Sequence, residues 1–292
     1  MNKSLGTILT AMVTPFDADL KVDFAGLERL AQHLLATGSD GLVVAASTGE
    51  TSTLDDDEKI AMFEAVTALA RGRATVVANT GSNDTRHSVD LTRRAEAVGV
   101  DAVMAVSPYY NKPPLRGLMR HFEAVAAATS LPMIVYNIPS RCGVNIPPEA
   151  LAELGRIENI VAVKQANPDL SESLRLREIS DLGLYAGNDD MLLDVVKMGG
   201  RGGICVSSHV AGERMRRVVE LFRTGDVAGA EALDAKLASL YKTLFIATNP
   251  IPVKCALDLL GLPAGNLRLP MVGADDDERA TIAAELRRQG LL

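Results

Sequence analysis

Cysteine is sparse in this chain. Cys142, Cys205 and Cys255 are the only three in 292 residues, and no two share a paired spacing. An odd, scattered set excludes a disulfide framework and argues against a zinc site. Reduced thiols in a cytoplasmic protein are the expectation. Histidine is scarce too. His33, His87, His121 and His209 fall at neither His-x-His nor His-x-x-x-His spacing, so no metal or cofactor is expected. No apolar run reaches the roughly 18 residues of a membrane span. The N-terminal stretch lacks a long apolar segment followed by a small-residue cleavage site. Basic charge is lacking as well: 30 Lys and Arg against 37 Asp and Glu leave a net charge of −7. That argues against a nucleic-acid partner, which calls for a strongly basic face.

Short apolar runs recur along the chain. They cover 7–13 (TILTAMV), 41–47 (GLVVAAS), 75–80 (TVVANT), 102–107 (AVMAVS), 132–137 (PMIVYN), 160–165 (IVAVKQ), 184–187 (LYAG) and 203–208 (GICVSS). These runs are near-continuous rather than alternating, as strands covered on both faces should be. Helical patterns at 24–37, 53–70, 89–98 and 118–128 lie between them. Thr53 and Asp56 stand at capping-box spacing before the second of these. Eight βα units predict an α/β fold, a (β/α)8 TIM barrel. Beyond the eighth run only helical patterns remain. The expected division is a barrel over 1–224 and a C-terminal helical extension over 225–292.

In such a barrel the chemistry sits at the C-terminal ends of the strands. Those ends carry Ser47-Thr48-Gly49-Glu50, Ser107 to Asn111, Tyr136-Asn137 with Arg141 beyond, Lys164-Gln165, and Gly187-Asn188-Asp189-Asp190. Strand alternation places Ile160, Ala162 and Lys164 on one face. A lysine in an apolar strand is rarely buried unless paired or functional. Desolvation would free its amine for a Schiff base. A solvated strand end accounts for Lys164 equally well from the strand alone. Tyr136 is placed to shuttle protons beside that amine, or to be a core tyrosine with a satisfied hydroxyl. The turn at Ser47–Gly49 can present backbone N–H groups to a carboxylate, and Arg141 can clamp one. The glycine-rich run 199–203 precedes the last strand, on the opposite face, and reads as a turn. The acidic runs 55–58 and 275–278 each open a helical pattern, where negative charge favours the helix dipole.

Together, STGE at 47–50, PYYNKP at 108–113, YNIPSR at 136–141, VKQ at 163–165 and NPIPVK at 249–254 carry a resemblance. In that order and spacing they resemble the dihydrodipicolinate synthase/N-acetylneuraminate lyase family of pyruvate-dependent class I aldolases. The resemblance spans nearly the whole chain. It implies that Lys164 forms an imine with pyruvate and that Tyr136 donates and accepts the proton. It implies a relay from Tyr136 through Ser47 to Tyr110, with Tyr110 supplied by the neighbouring subunit of a tight dimer. Thr48 and the backbone of Ile204 would bind pyruvate, Gly187 would line the substrate site, and Arg141 would hold a second carboxylate. A homotetramer built as a dimer of dimers is implied too.

Within the family, Arg141 points to the synthase branch, which condenses pyruvate with L-aspartate 4-semialdehyde on the path to diaminopimelate and lysine. Ser47 and Gln165 resemble the sialic acid lyases instead, and Asn188 departs from the Gly-Asp-Asp of many synthases. A lyase acting on a sugar acid and a catalytically silent ligand-binding barrel stay open as alternatives. The family's lysine-feedback site maps near Asp56, Lys59, Asn83, His87 and Tyr109. With Lys59 and His87 in it, weak or absent inhibition by lysine is expected.

Overall fold

The computed structural model of the chain describes residues 5–292. Residues 1–4, where the expected barrel unit begins, lie outside that range. Among the described residues, strands β1 (Ile8–Ala11), β2 (Gly41–Val44), β3 (Thr75–Asn79), β4 (Ala102–Val106), β5 (Met133–Asn137), β6 (Ile160–Gln165), β7 (Gly183–Ala186) and β8 (Gly202–Cys205) run in one direction and close a barrel in sequence order. Pairing of Leu9 with Ile204 and Thr10 with Cys205 shuts the ring. All eight expected strands are present.

Helices α1 (Phe24–Ala36), α2 (Asp56–Ala70), α3 (Thr85–Val98) and α4 (Leu115–Ala126) cover the first half of the barrel. The second half carries α5 (Pro139–Cys142), α6 (Pro148–Leu154), α7 (Leu170–Ile179), α8 (Leu192–Lys197) and α9 (Ser208–Arg223). Helices α5 to α8 have 4 to 10 residues, too short to show a sustained 3.6-residue period. That is why their sequences did not read as helices. The chain ends in α10 (Val227–Thr243), α11 (Ile251–Leu259) and α12 (Asp276–Arg288).

Two expectations need correction. The capping box of α2 is formed by Asp55 and Glu58, not by Thr53 and Asp56: the Asp55 carboxylate accepts from the Glu58 N–H at 2.8 Å, and Glu58 accepts from the Asp55 N–H at 3.1 Å. Thr53 instead closes a separate 3-10 turn. The second concerns β6. Met133 pairs with Ile160 but Ile134 pairs with Ala162, so Val161 is an extra residue in the ladder. A bulge of this kind resets the alternation. Ile160 therefore joins the layer between barrel and helices, while Ala162 and Lys164 share the inner face.

The core has three parts. Leu9, Val43, Val77, Met104, Ile134, Ala162, Tyr185 and Ile204 fill the barrel. A second layer packs the outer strand faces against the helices, with Leu27, Phe63, Leu91, Phe122, Leu151 and Leu176 among its members. The third cluster joins Met215 and Val219 of α9 to Leu237 and Leu240 of α10 and to Ile282 and Leu286 of α12.

A buried ion pair stitches the C-terminal helices to the catalytic end. Lys254 of α11 donates to Glu50 Oε1 at 2.6 Å and to the Asn266 carbonyl at 2.5 Å, and its ammonium lies 4.7 Å from the Phe16 ring centroid. Glu50 also accepts from the Arg268 N–H at 3.0 Å. Both side chains are almost fully buried. Removing one partner strands the other charge in an apolar interior, which costs about 3–5 kcal/mol. Lys254→Leu is expected to lose stability on that scale in urea unfolding, and Glu50→Gln/Lys254→Met to lose clearly less. Equal losses would show that the pair itself is not what matters.

Candidate active site

Lys164 lies on the inner face of β6, near its C-terminal end, 4% exposed. In the β5–β6 register it stands opposite Tyr136. Its amine sits 4.3 Å from the Tyr136 ring centroid. Burial pulls the Lys164 pKa down to about 8; Cys205 and Asp189 oppose the fall and the Arg141 charge adds to it. Burial acts the other way on Tyr136 and pushes its phenol well above the usual range, with Arg141 opposing. The same desolvation thus gives an amine able to shed its proton beside a phenol that keeps one.

Asp189 faces this pair from beyond β7. Its buried carboxylate accepts from the Val206 N–H at 3.0 Å and the Ser207 N–H at 2.5 Å. Burial raises its pKa, against those bonds and the Lys164 charge.

The chain leaves β2 through Ala45, which has a positive φ of 54°, and enters a 3-10 turn at Ser47–Gly49. Ser47 is therefore a loop residue rather than a strand end. Thr48 is buried, and its hydroxyl accepts from Asn249 Nδ2 at 2.9 Å. The Asn249 carbonyl in turn accepts from the Arg141 guanidinium at 3.1 Å. One residue of the C-terminal region thus ties together the two side chains expected to bind carboxylates.

Ser47, Asn79, Tyr109, Arg141, Cys142, Pro250 and Met271 line a cavity of about 220 Å³. Val106, Ile138 and Cys142 belong both to its wall and to the apolar cluster around Tyr136. Ile204 is buried in β8. Gly187 follows β7, and a Cβ there would meet Ala166 at 2.7 Å, so close backbone approach requires glycine. Tyr110 stands apart, 89% exposed with a positive φ of 71°. Within one chain it is Tyr109, not Tyr110, that lines the cavity.

Asn249 and Asn79 were missed as site residues. Asn79 ends β3 and donates to the Ala45 carbonyl at 3.0 Å. It sits at a strand's C-terminal end, which is the available signal. Asn249 carries none of that kind, since it reaches the site from the turn between α10 and α11.

The chain and its fold are similar to those of known proteins. A model of the dihydrodipicolinate synthetase family matches residues 4–289. The chain belongs to the dihydrodipicolinate synthetase family. It is 53% identical to a 4-hydroxy-tetrahydrodipicolinate synthase of Moorella thermoacetica, over 98% of this chain and 99% of that protein. It is 44% identical to the enzyme of the same name from Bacillus subtilis, over 97% and 99%. A crystal structure of the synthase from Cyanidioschyzon merolae with lysine bound superposes with a TM-score of 0.97 at 38% identity, covering 99% of both chains.

Asp56, Lys59, Asn83, His87 and Tyr109, where the resemblance leads one to expect a feedback site, line another cavity of about 310 Å³. Both its carboxylates are engaged. Asp56 accepts from His87 at 2.8 Å and from Lys59 at 3.2 Å. Burial works to raise the Asp56 pKa, but His87 and Lys59 outweigh it and hold the carboxyl below its ordinary value. Asp84 caps α3 through the Arg86 N–H.

Proposed function

We propose that this chain is a 4-hydroxy-tetrahydrodipicolinate synthase, condensing pyruvate with L-aspartate 4-semialdehyde. The observation that carries the reading is the buried Lys164 amine against the Tyr136 ring. The names of its full-length relatives support it. The amine attacks the ketone carbon of pyruvate, water leaves, and an imine forms. Loss of a methyl proton gives an enamine, whose carbon attacks the aldehyde carbon of the second substrate. Tyr136, which keeps its proton at neutral pH, supplies and recovers protons in these steps. Thr48 holds the pyruvate carboxylate, with the Ile204 backbone and Gly187 at the same substrate. Arg141, at the cavity wall, holds the carboxylate of the semialdehyde. Planar, two-pronged recognition of that kind suits a guanidinium.

Lys164→Ala is expected to abolish turnover in a coupled assay with both substrates. Tyr136→Phe and Arg141→Ala should each cut the rate by about 10² to 10⁴. Cleavage assays on keto-deoxy sugar acids run beside this. A preference for those substrates, with a near-normal Arg141→Ala, would favour the lyase branch.

The proton relay from Tyr136 through Ser47 to Tyr110 needs a second copy of the chain in this reading. The outward, exposed Tyr110 ring supports that. We read the enzyme as a homotetramer, a dimer of dimers, acting in the cytoplasm; its three buried, unpaired cysteines agree with a reducing compartment. Sedimentation should give a tetramer, and Tyr110→Phe should lower turnover; a fully active monomer would remove Tyr110 from the mechanism.

Lysine inhibition is expected to be weak or absent, because Asp56 is already paired with His87 and Lys59 and offers a cationic amino acid little free negative charge. Clear inhibition at submillimolar lysine in the same assay would contradict this.

A further inference from the structure

Thr48 and Asn249 are both buried, and 201 residues of chain separate them. Asn249 lies in the turn between α10 and α11, directly before Pro250 on the cavity wall. Its side chain and its backbone have different partners. Nδ2 donates to the Thr48 hydroxyl at 2.9 Å, and the backbone carbonyl accepts from the Arg141 guanidinium at 3.1 Å. Oδ1 is buried without a partner among the described residues. The reversed amide would put Nδ2 in that place, and a buried N–H without an acceptor is rarer than a carbonyl oxygen without a donor. The amide therefore presents its N–H to Thr48.

Docking of this segment does not depend on that bond. Two residues past Thr48, Glu50 accepts from the Lys254 ammonium at 2.6 Å, with both groups buried. The Lys254 N–H in turn donates to the Pro250 carbonyl at 3.0 Å. Arg268 adds bonds to the Thr53 carbonyl and to Glu58, each at 2.7 Å. What the Asn249 side chain changes is direction. A hydroxyl has one proton to give and lone pairs to fill. With an N–H bonded to its oxygen, Thr48 cannot turn its own proton back on Asn249. That proton has no acceptor among the described residues. An N–H feeding into an O–H also polarises it and makes it the better donor.

We propose that Asn249 is a positioning residue for the reaction: its amide keeps the Thr48 proton turned toward the pyruvate carboxylate, while its backbone carbonyl steadies Arg141 for the carboxylate of the second substrate. The inference rests on the reading of Thr48 as the group that holds pyruvate. The two subsites share one residue but use separate atoms of it. Replacing the side chain leaves the carbonyl in place, so it should reach the pyruvate subsite alone.

The test is a pyruvate titration. The full-length protein is treated with borohydride at rising pyruvate, and the Lys164 adduct is quantified by mass spectrometry. Asn249→Ala should raise the half-saturating pyruvate concentration by about tenfold, the scale of one hydrogen bond to a charged group. Asn249→Asp, close in shape, offers only acceptors. It should draw the Thr48 proton to itself and raise the value at least as far. In the coupled assay at saturating pyruvate, KM for the semialdehyde should stay that of the parent in both variants. Thr48→Val keeps the shape and loses the hydroxyl, and should itself raise the half-saturating concentration. Asn249→Ala added to it should have no further effect, because the proton that Asn249 directs is gone. Additive losses, an equal rise in KM for the semialdehyde, or an unchanged half-saturation in both Asn249 variants each overturn the proposal and leave the Schiff-base reading intact. An unchanged value in Thr48→Val removes Thr48 from pyruvate binding, and the proposal with it. No adduct in the parent at any pyruvate concentration overturns the Schiff-base reading as well.

Discussion

Removing one amine from water is the constraint around which the molecule is arranged. A free ammonium at the end of β6 would be a poor nucleophile at neutral pH, because its lone pair would be occupied by a proton. Burial penalises the charged form and moves Lys164 toward neutrality. The penalty has to be borne by the fold, and the closed barrel bears it. Ala162 beneath the lysine, Tyr136 beside it and Ile204 on β8 supply an apolar lining held by parallel strand pairing on every side. The same burial raises the neighbouring phenol. One physical effect therefore sets two groups into opposite and complementary states, a base that can be free and an acid that stays protonated. Pairs whose environments push their pKa values apart are the usual mark of acid–base assignment in a site.

The barrel was legible in the sequence because its strands are buried on both faces and so appear as unbroken apolar runs. Lys164 was legible for the same reason: a charge at the end of IVAVKQ has no simple place in a covered strand. What did not show was whatever depends on contacts distant in sequence. The bulge at Val161 obeys a register set by β5, and no local pattern announces it. Asn249 reaches Thr48 across 201 residues of chain. Asp189 could be seen at a strand end, but its bonds to the Val206 and Ser207 N–H groups come from the next strand's exit. Helices α5 to α8 are held by the barrel surface rather than by an amphipathic period of their own. Tyr110, finally, is 89% exposed in the single chain, and nothing in one protomer's contacts marks it as a site residue.

The C-terminal helices do more than cover a surface. Glu50 follows the Ser47–Gly49 turn directly and is locked to Lys254, four residues past Pro250. Arg268 adds a second anchor: it bonds Glu58, the Thr53 and Leu20 carbonyls and, through its N–H, Glu50, while its guanidinium lies 4.3 Å from the Phe16 ring centroid. These ties hold residues 249–271 against the loops after β1 and β2. Asn249 then meets Thr48 and Arg141, and Pro250, Pro270 and Met271 close one wall of the cavity. The site is in this sense built by both parts of the chain. A loss of the buried ion pair would be felt at Thr48 and Arg141 as well as in stability.

Charge is distributed around the amine in a graded way. Arg141, the positive group that acts on the amine among the described residues, sits at the cavity wall. Asp189, the carboxylate that acts on the amine among the described residues, accepts from the Val206 and Ser207 N–H groups. On the far side of β6 the hydrogen-bonded amides of Gln165, Asn137 and Asn145 lead outward to the Glu172 carboxylate on α7. Low dielectric makes each of these placements count, since an unscreened charge acts over a longer range inside a protein than in water. The fall of the Lys164 pKa to about 8 comes first from burial; the Arg141 charge adds to it, and Cys205 and Asp189 oppose it. Apolar burial alone would also make the protonated state of any carboxylic acid near the amine more favourable, and backbone hydrogen bonds to Asp189 are what counter that tendency.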